Sequence, residues 1–202
     1  MFKATHVRSR AFFMRARRHR LWANCAGTAG AQIVELAITL PVLVGLWYGI
    51  FDFGQAFNLK QKLSDATREA ARFASNQSTS DLTSTSTPQS ILDVRNLVDS
   101  YLKANNVNPC GLGTSSGTQG PTYTWVFTAT GCATGNLTLT INRGKIIAIG
   151  SGSNAVTLEA TQVDLTYPYQ WQFARVVKLI APTATFSGPA QIPSTAIMPN
   201  IS

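Results

Sequence analysis

Two carboxylates lie where hydrocarbon-compatible sequence has least use for them. From Leu36 to Phe51 no side chain carries a charge, and Ala31 to Val34 extend the apolar run. Glu35 lies inside the amino-terminal end of this run, and Asp52 lies at its far end. About 20 apolar or small residues suffice to cross a bilayer core of ~30 Å as a helix rising ~1.5 Å per residue. A carboxylate in that core costs at least ~2.5 kcal/mol on insertion scales, so each acid needs a partner. For Glu35 a covalent step can make one. Hydrolysis of the Gly30–Ala31 bond gives Ala31 an α-amino group, one helical turn before Glu35.

The remaining chemistry is sparse. Both histidines, His6 and His19, precede Gly30, which excludes a histidine triad or a histidine metal site from the rest of the chain. Cys110 and Cys132 suit a disulfide in an oxidising compartment better than a zinc site. Closing that loop is worth roughly 3 kcal/mol. Cys25 has no apolar run in front of it, only RARRHRLWAN, so it does not read as a lipid-attachment site. Asp93, Asp99, Glu159 and Asp164 are scattered, and no aromatic subsite pattern accompanies them as a glycosidase would require. Trp125 and Trp171 read as packing residues. The stretch GLGTSSGTQGP reads as a Gly/Ser loop; it follows no strand and precedes no lysine-led helix, so it is not a phosphate loop. The expectation is a protein without catalysis and without a cofactor.

The chain has 202 residues and a net charge of +8. Lys3, Arg8, Arg10, Arg15, Arg17, Arg18 and Arg20 supply most of that excess, with no acid before Glu35. The remainder is nearly neutral, which excludes the basic stripe of a nucleic-acid binder. A basic head before an apolar helix is a cytoplasmic topology signal. The amino terminus is therefore expected in the cytoplasm, with residues from about 58 onward across the inner membrane, in the periplasm or outside. Charges after the span are mixed (Lys60, Lys62, Asp65, Arg68, Glu69, Arg72) and do not oppose this.

The order of signals is unusual. A secretory signal places its cleavage site after the apolar core. Here the small residues Ala23, Ala26, Gly27, Thr28, Ala29 and Gly30 come before it. A cut after Gly30 removes the basic head and leaves the apolar helix on the product. Met14 is an alternative start that shortens the leader. Gly30-Ala31-Gln32-Ile33-Val34-Glu35 resembles a type IV prepilin processing site, with Glu as the fifth mature residue. More narrowly, Glu35, Leu40-Pro41, Asp52-Phe53-Gly54 and Arg68-Glu69-Ala70-Ala71-Arg72 resemble the TadE-like family, over about 45 residues. Leu36, Asp52 and Gln55 depart from the family pattern. The resemblance implies a pilin-like protein of the tight-adherence (Tad, type IVb) pilus. It implies processing by a prepilin peptidase between Gly30 and Ala31. It also implies assembly roles for Glu35 and Asp52, partners among other pilin-like subunits and Tad proteins, and a part in adhesion. An uncleaved, signal-anchored envelope protein whose head binds a ligand is the competing expectation.

These residues need an α+β frame: a long amino-terminal apolar helix, then a small domain with a helix and an antiparallel sheet. The expected divisions are a leader (1–30), a membrane helix (31–57), its extension (58–74), a Ser/Thr linker (75–87) and a head (88–202). Pro41 predicts a helix bend. Gly45 and Gly49 have the spacing of a close helix-packing motif. Leu59, Leu63, Ala66, Ala70, Phe73 and Ala74 recur every three or four residues, so the helix continues past the membrane. Residues 31–74 as one helix run ~66 Å. Thr87 and Pro88 predict the cap and first residue of a second helix, with Ile91, Val94, Leu97, Val98, Tyr101 and Leu102 on its buried face and Asn105 and Asn106 ending it. Alternation predicts strands over 123–130, 136–141, 145–149 and 155–167, with a turn at Asn142-Arg143-Gly144. Tyr167-Pro168-Tyr169 resembles a step that follows the last long strand in TadE-like chains. Phe173, Val176, Val177 and Ile180 predict a short amphipathic helix, and 195–198 a further edge strand.

Overall fold

The computed structural model describes residues 28–84, 86–149, 156–180, 183 and 190–200. The expected basic leader, Met14 and Cys25 all lie outside the described residues. So does part of the proline-rich tail. The chain divides into two compact units, with the boundary between Trp47 and Tyr48. The first holds the amino-terminal part of helix α1 (Thr28–Ser75); the second holds the rest of α1 and all other elements.

Helix α1 is 48 residues long and passes through Pro41 without interruption. Its first turns are rich in Ala, Leu and Ile, and most of these side chains are exposed; Ile33, Val42 and Leu46 each show more than half of their surface. Thr39 Oγ1 donates back to the carbonyl of Glu35 at 3.0 Å, so the hydroxyl is satisfied within its own helix.

In the second unit α1 changes character. Ala56, Leu63, Ala66, Thr67, Ala70, Ala71 and Ala74 form a buried stripe at helical spacing. Small side chains let the helix lie close against its neighbours. Thr67 and Ser194 share a buried hydroxyl–hydroxyl hydrogen bond of 3.0 Å, and Lys60 donates to the carbonyl of Pro193. Helix α2 (Gln89–Ala104) adds Ile91, Val94, Val98 and Leu102 to the same core. Leu97 and Tyr101, expected with them, are only partly buried.

The sheet is a five-stranded antiparallel meander in the order β1 (Gly117–Gly120), β2 (Thr124–Cys132), β3 (Gly135–Ile149), β4 (Val156–Tyr169), β5 (Ala190–Pro199). Alternation places Trp125, Phe127, Leu137, Leu139, Ile141, Val163 and Leu165 on the face that meets the helices. Thr128, Thr138, Thr140, Thr166 and Thr195 lie on the opposite face. β3 and β4 outrun their neighbours, and Ile146, Ile149, Val156 and Leu158 are exposed there. Helix α3 (Phe173–Ile180) joins β4 to β5.

Three expectations are corrected. Asn142-Arg143-Gly144 is not a turn between strands. It is a bulge within β3, where Arg143 and Gly144 together stand opposite Thr161. Arg143 is 2% exposed and donates Nη2–H to the carbonyl of Gln77 at 2.7 Å. Burial pushes its guanidinium below the ordinary arginine value, and the charge of Asp81 pulls the other way. The glycine- and serine-rich stretch after Cys110 contains β1 and a short 3-10 turn, Leu112–Thr114. Thr87 does not cap α2: Pro88 occupies that position and offers no side-chain acceptor.

The cap of α2 comes instead from Asp81, whose carboxylate accepts from the Ser90 backbone N–H and hydroxyl, each at 2.9 Å. Neighbouring Leu82 is 5% exposed, so the Ser/Thr-rich segment packs against the head here. Asp81→Ala is expected to cost about 1–2 kcal/mol, the usual loss for a removed N-terminal cap. Urea unfolding of the two forms measures it; Thr87→Ala is expected to be nearly silent in the same assay.

Candidate functional site

The two carboxylates of the apolar run have opposite surroundings. Glu35 belongs to the first unit and is exposed. Among the described residues no side chain or backbone N–H donates to its carboxylate within hydrogen-bonding distance. Gly30 and Ala31 precede it in α1, within the described residues, so the Gly30–Ala31 bond is helical. Glycine lowers helix stability by about 1 kcal/mol relative to alanine.

Asp52 belongs to the second unit and is 2% exposed. Its two oxygens have separate donors. The Tyr169 hydroxyl donates to Oδ1 at 2.6 Å, and the Phe173 backbone N–H donates to Oδ2 at 2.8 Å. The same tyrosine oxygen lies 3.2 Å from the Asp52 carbonyl. Asp52 thus ties α1 to the end of β4 and to the amino terminus of α3. An anion at a helix amino terminus is favoured by the unpaired N–H groups and the helix dipole. Burial, then the hydrogen bond to Asp52 and its negative charge, push the Tyr169 hydroxyl above the ordinary tyrosine value.

Aromatic rings surround this latch. Trp171 lies 5.1 Å from Phe53 and 5.2 Å from Tyr169, centroid to centroid, the latter edge-on. The Phe173 ring lies over Gly49, where a Cβ would meet it at 3.9 Å. Gly49 therefore seats a ring of its own chain. Sequence reasoning assigned Asp52 to assembly and did not find Tyr169, Trp171 or Phe173 as its companions. The only local signal was the Tyr-Pro-Tyr step, which lies within β4 rather than after it.

Cys110 and Cys132 are joined as a disulfide with a Cα–Cα distance of 4.7 Å. It links the loop after α2 to the end of β2. A shallow cleft beside the latch is lined by Gln55, Asn58, Lys62, Asn106, Asn108 and Tyr167 among others. Lys62 in it donates to the Asn105 carbonyl at 2.9 Å. Amides and a bonded lysine offer hydrogen bonds there, and Tyr169, whose hydroxyl is held by Asp52, closes the side next to the latch.

The part of the chain that carries Gly30, Glu35, Pro41, Asp52 and the Arg68–Arg72 segment is also the part that matches a known family. Residues 30–72 match the model of the TadE-like protein family. The match ends before α2 and the sheet. Neither a curated protein nor a solved structure matches the chain. The match suggests a pilus-associated, pilin-like protein. Among the described residues one helix is long and apolar enough to cross a membrane, which suggests single-pass anchoring.

Proposed function

We propose that this chain is a minor pilin or pseudopilin-like assembly component of a Tad-type (type IVb) pilus. It is inserted in the inner membrane with its amino terminus in the cytoplasm and its head in the periplasm or outside. A prepilin peptidase cuts between Gly30 and Ala31. The new Ala31 amine then pairs with Glu35, in the same subunit or a neighbouring one, which offsets the cost of a carboxylate in hydrocarbon. The product supports adhesion and surface attachment together with other pilin-like subunits and Tad proteins.

The observation that carries this reading is the exposed Glu35 carboxylate in a long apolar helix, one turn after the Gly30–Ala31 bond, with no donor to it among the described residues. The new terminus, or another chain, supplies its partner. The matched TadE-like segment supports an assembly role. Pro41 fits here as a bend that a neighbouring helix can support by satisfying the freed carbonyl.

The test is the amino-terminal sequence of the protein recovered from membranes of its native cell. The expected start is Ala31-Gln32-Ile33-Val34-Glu35. Glu35→Val should still be processed and inserted, yet fail to co-purify with filament or assembly partners. A mature protein that begins at its initiator methionine, or a Glu35→Val variant that assembles normally, overturns the proposal in favour of an uncleaved anchor.

A further inference from the structure

The end of the apolar run is where the head fastens its shortest helix. Helix α3 is held at Gly49 by the Phe173 ring and at Asp52 by the Phe173 N–H. A span of about 20 residues that begins near Ala31 leaves the hydrocarbon at this level. The sequence of α3, FARVVKLI, combines apolar residues at helical spacing with two cations, Arg175 and Lys178, and has no acid. Lys178 is exposed. Tyr169, Trp171 and Phe53 cluster beside its amino terminus. Tyrosine and tryptophan concentrate at membrane–water interfaces, where an apolar ring body meets a polar tip. Short basic amphipathic helices with aromatic neighbours lie in that plane.

From these contacts we propose that α3 and the Tyr169–Trp171–Phe53 cluster are a second membrane-contacting element: an interfacial helix that rests on anionic lipid headgroups of the leaflet on the head's side. The Asp52 latch sets its depth by tying its first residue to α1. The buried acid then orients the head against the bilayer instead of joining subunits. This inference rests on the reading that α1 spans the membrane. The exposed apolar side chains Ile50, Phe53 and Phe57 in the same unit and the basic sequence of α3 select lipid as the occupant. Juxtamembrane cations are attracted to an anionic leaflet.

The experiment uses the full chain with Cys25→Ser, its disulfide intact, in phosphatidylglycerol/phosphatidylcholine vesicles that carry a shallow spin-labelled lipid. A fluorescent label is placed in turn at Gln172→Cys beside α3, Val44→Cys within the apolar run, and Thr128→Cys on the open sheet face; all three native side chains are exposed. The expected result is quenching at 44 and 172 several-fold above that at 128. Adding Lys178→Glu should reduce quenching at 172 several-fold and leave 44 unchanged. Quenching at 44 but not at 172 overturns the inference and leaves the span intact. No quenching at 44 overturns the span and the inference with it. Equal quenching at 128 and 172 overturns the assignment to α3, because the whole head then lies on lipid. Insensitivity to Lys178→Glu overturns the headgroup pairing.

Discussion

Asp52→Ala is expected to detach α3 from α1 and to lower the stability of the head by about 3 kcal/mol. The substitution removes two hydrogen bonds to a charged acceptor, each worth about 1.5–3 kcal/mol, and leaves two donors with their partner gone. It does so at a position that is 2% exposed, where water replaces the lost acceptor poorly. Urea unfolding of the full chain in detergent micelles measures the loss. Hydrogen exchange locates it, with faster exchange expected over residues 169–180 and little change in α2. Tyr169→Phe keeps the ring and one of the two bonds, so about half of the loss is expected. Equal exchange in all three proteins would show that the latch does not hold α3.

The same latch predicts a response to alkali. The folded head holds the Tyr169 proton to higher pH than an ordinary tyrosine does, because burial and the adjacent Asp52 oppose the phenolate. A raised acid value favours the protonated form in the folded state. Its contribution is complete below about pH 10, the ordinary tyrosine value, and is lost as pH climbs through the folded value. The urea midpoint should therefore fall above about pH 10, less steeply in Tyr169→Phe. Tyr167, also raised by burial, keeps part of the slope in that variant.

The second large effect is expected from the disulfide. The double substitution Cys110→Ser, Cys132→Ser should cost about 3 kcal/mol, or roughly 6–12 °C in melting temperature. The bridge closes a 22-residue separation and pins a backbone that is unusual in its own right. Cys110 has φ of 56° and Gly111 of 83°, so the chain passes twice through the left-handed region. Gly131 sits against this corner, donating its N–H to the Cys110 carbonyl at 2.8 Å. A Cβ at Gly131 would stand 2.5 Å from the same oxygen. Gly131→Ala should therefore destabilise the oxidised protein and cost less once the bridge is removed, since the corner can then move. Thermal unfolding of the four combinations forms a cycle that checks this coupling; additive losses would refute it.

How much of this was readable without coordinates depends on how far apart the partners lie. Helix α1 was legible because its signals are local: an uncharged apolar run, then alanines and leucines at helical spacing. The matched TadE-like stretch lies within that same local pattern. β2 and the cores of β3 and β4 were legible because alternation is a property of neighbouring residues. The bulge at Arg143 was not. Asn142 Oδ1 accepts the Gly144 N–H at 2.9 Å, a local contact that imitates a turn. Pairing with β4 on both sides of it keeps the strand going. β1, Gly-Thr-Gln-Gly, has almost no strand character of its own and pairs only because β2 offers an edge. The cap of α2 went to Asp81, nine residues before the N–H it binds, rather than to the adjacent threonine.

The two acids make the division plainest. Sequence alone determined that Glu35 and Asp52 lie in one apolar run and that each needs a partner, because the cost of a lone carboxylate there is a matter of solvation. Only the tertiary structure decided that they differ. Asp52 finds Tyr169 across 117 positions of sequence, a contact that no local spacing encodes and that exists because β4 ends beside α1. Glu35 is exposed, and none of the described residues donates to its carboxylate.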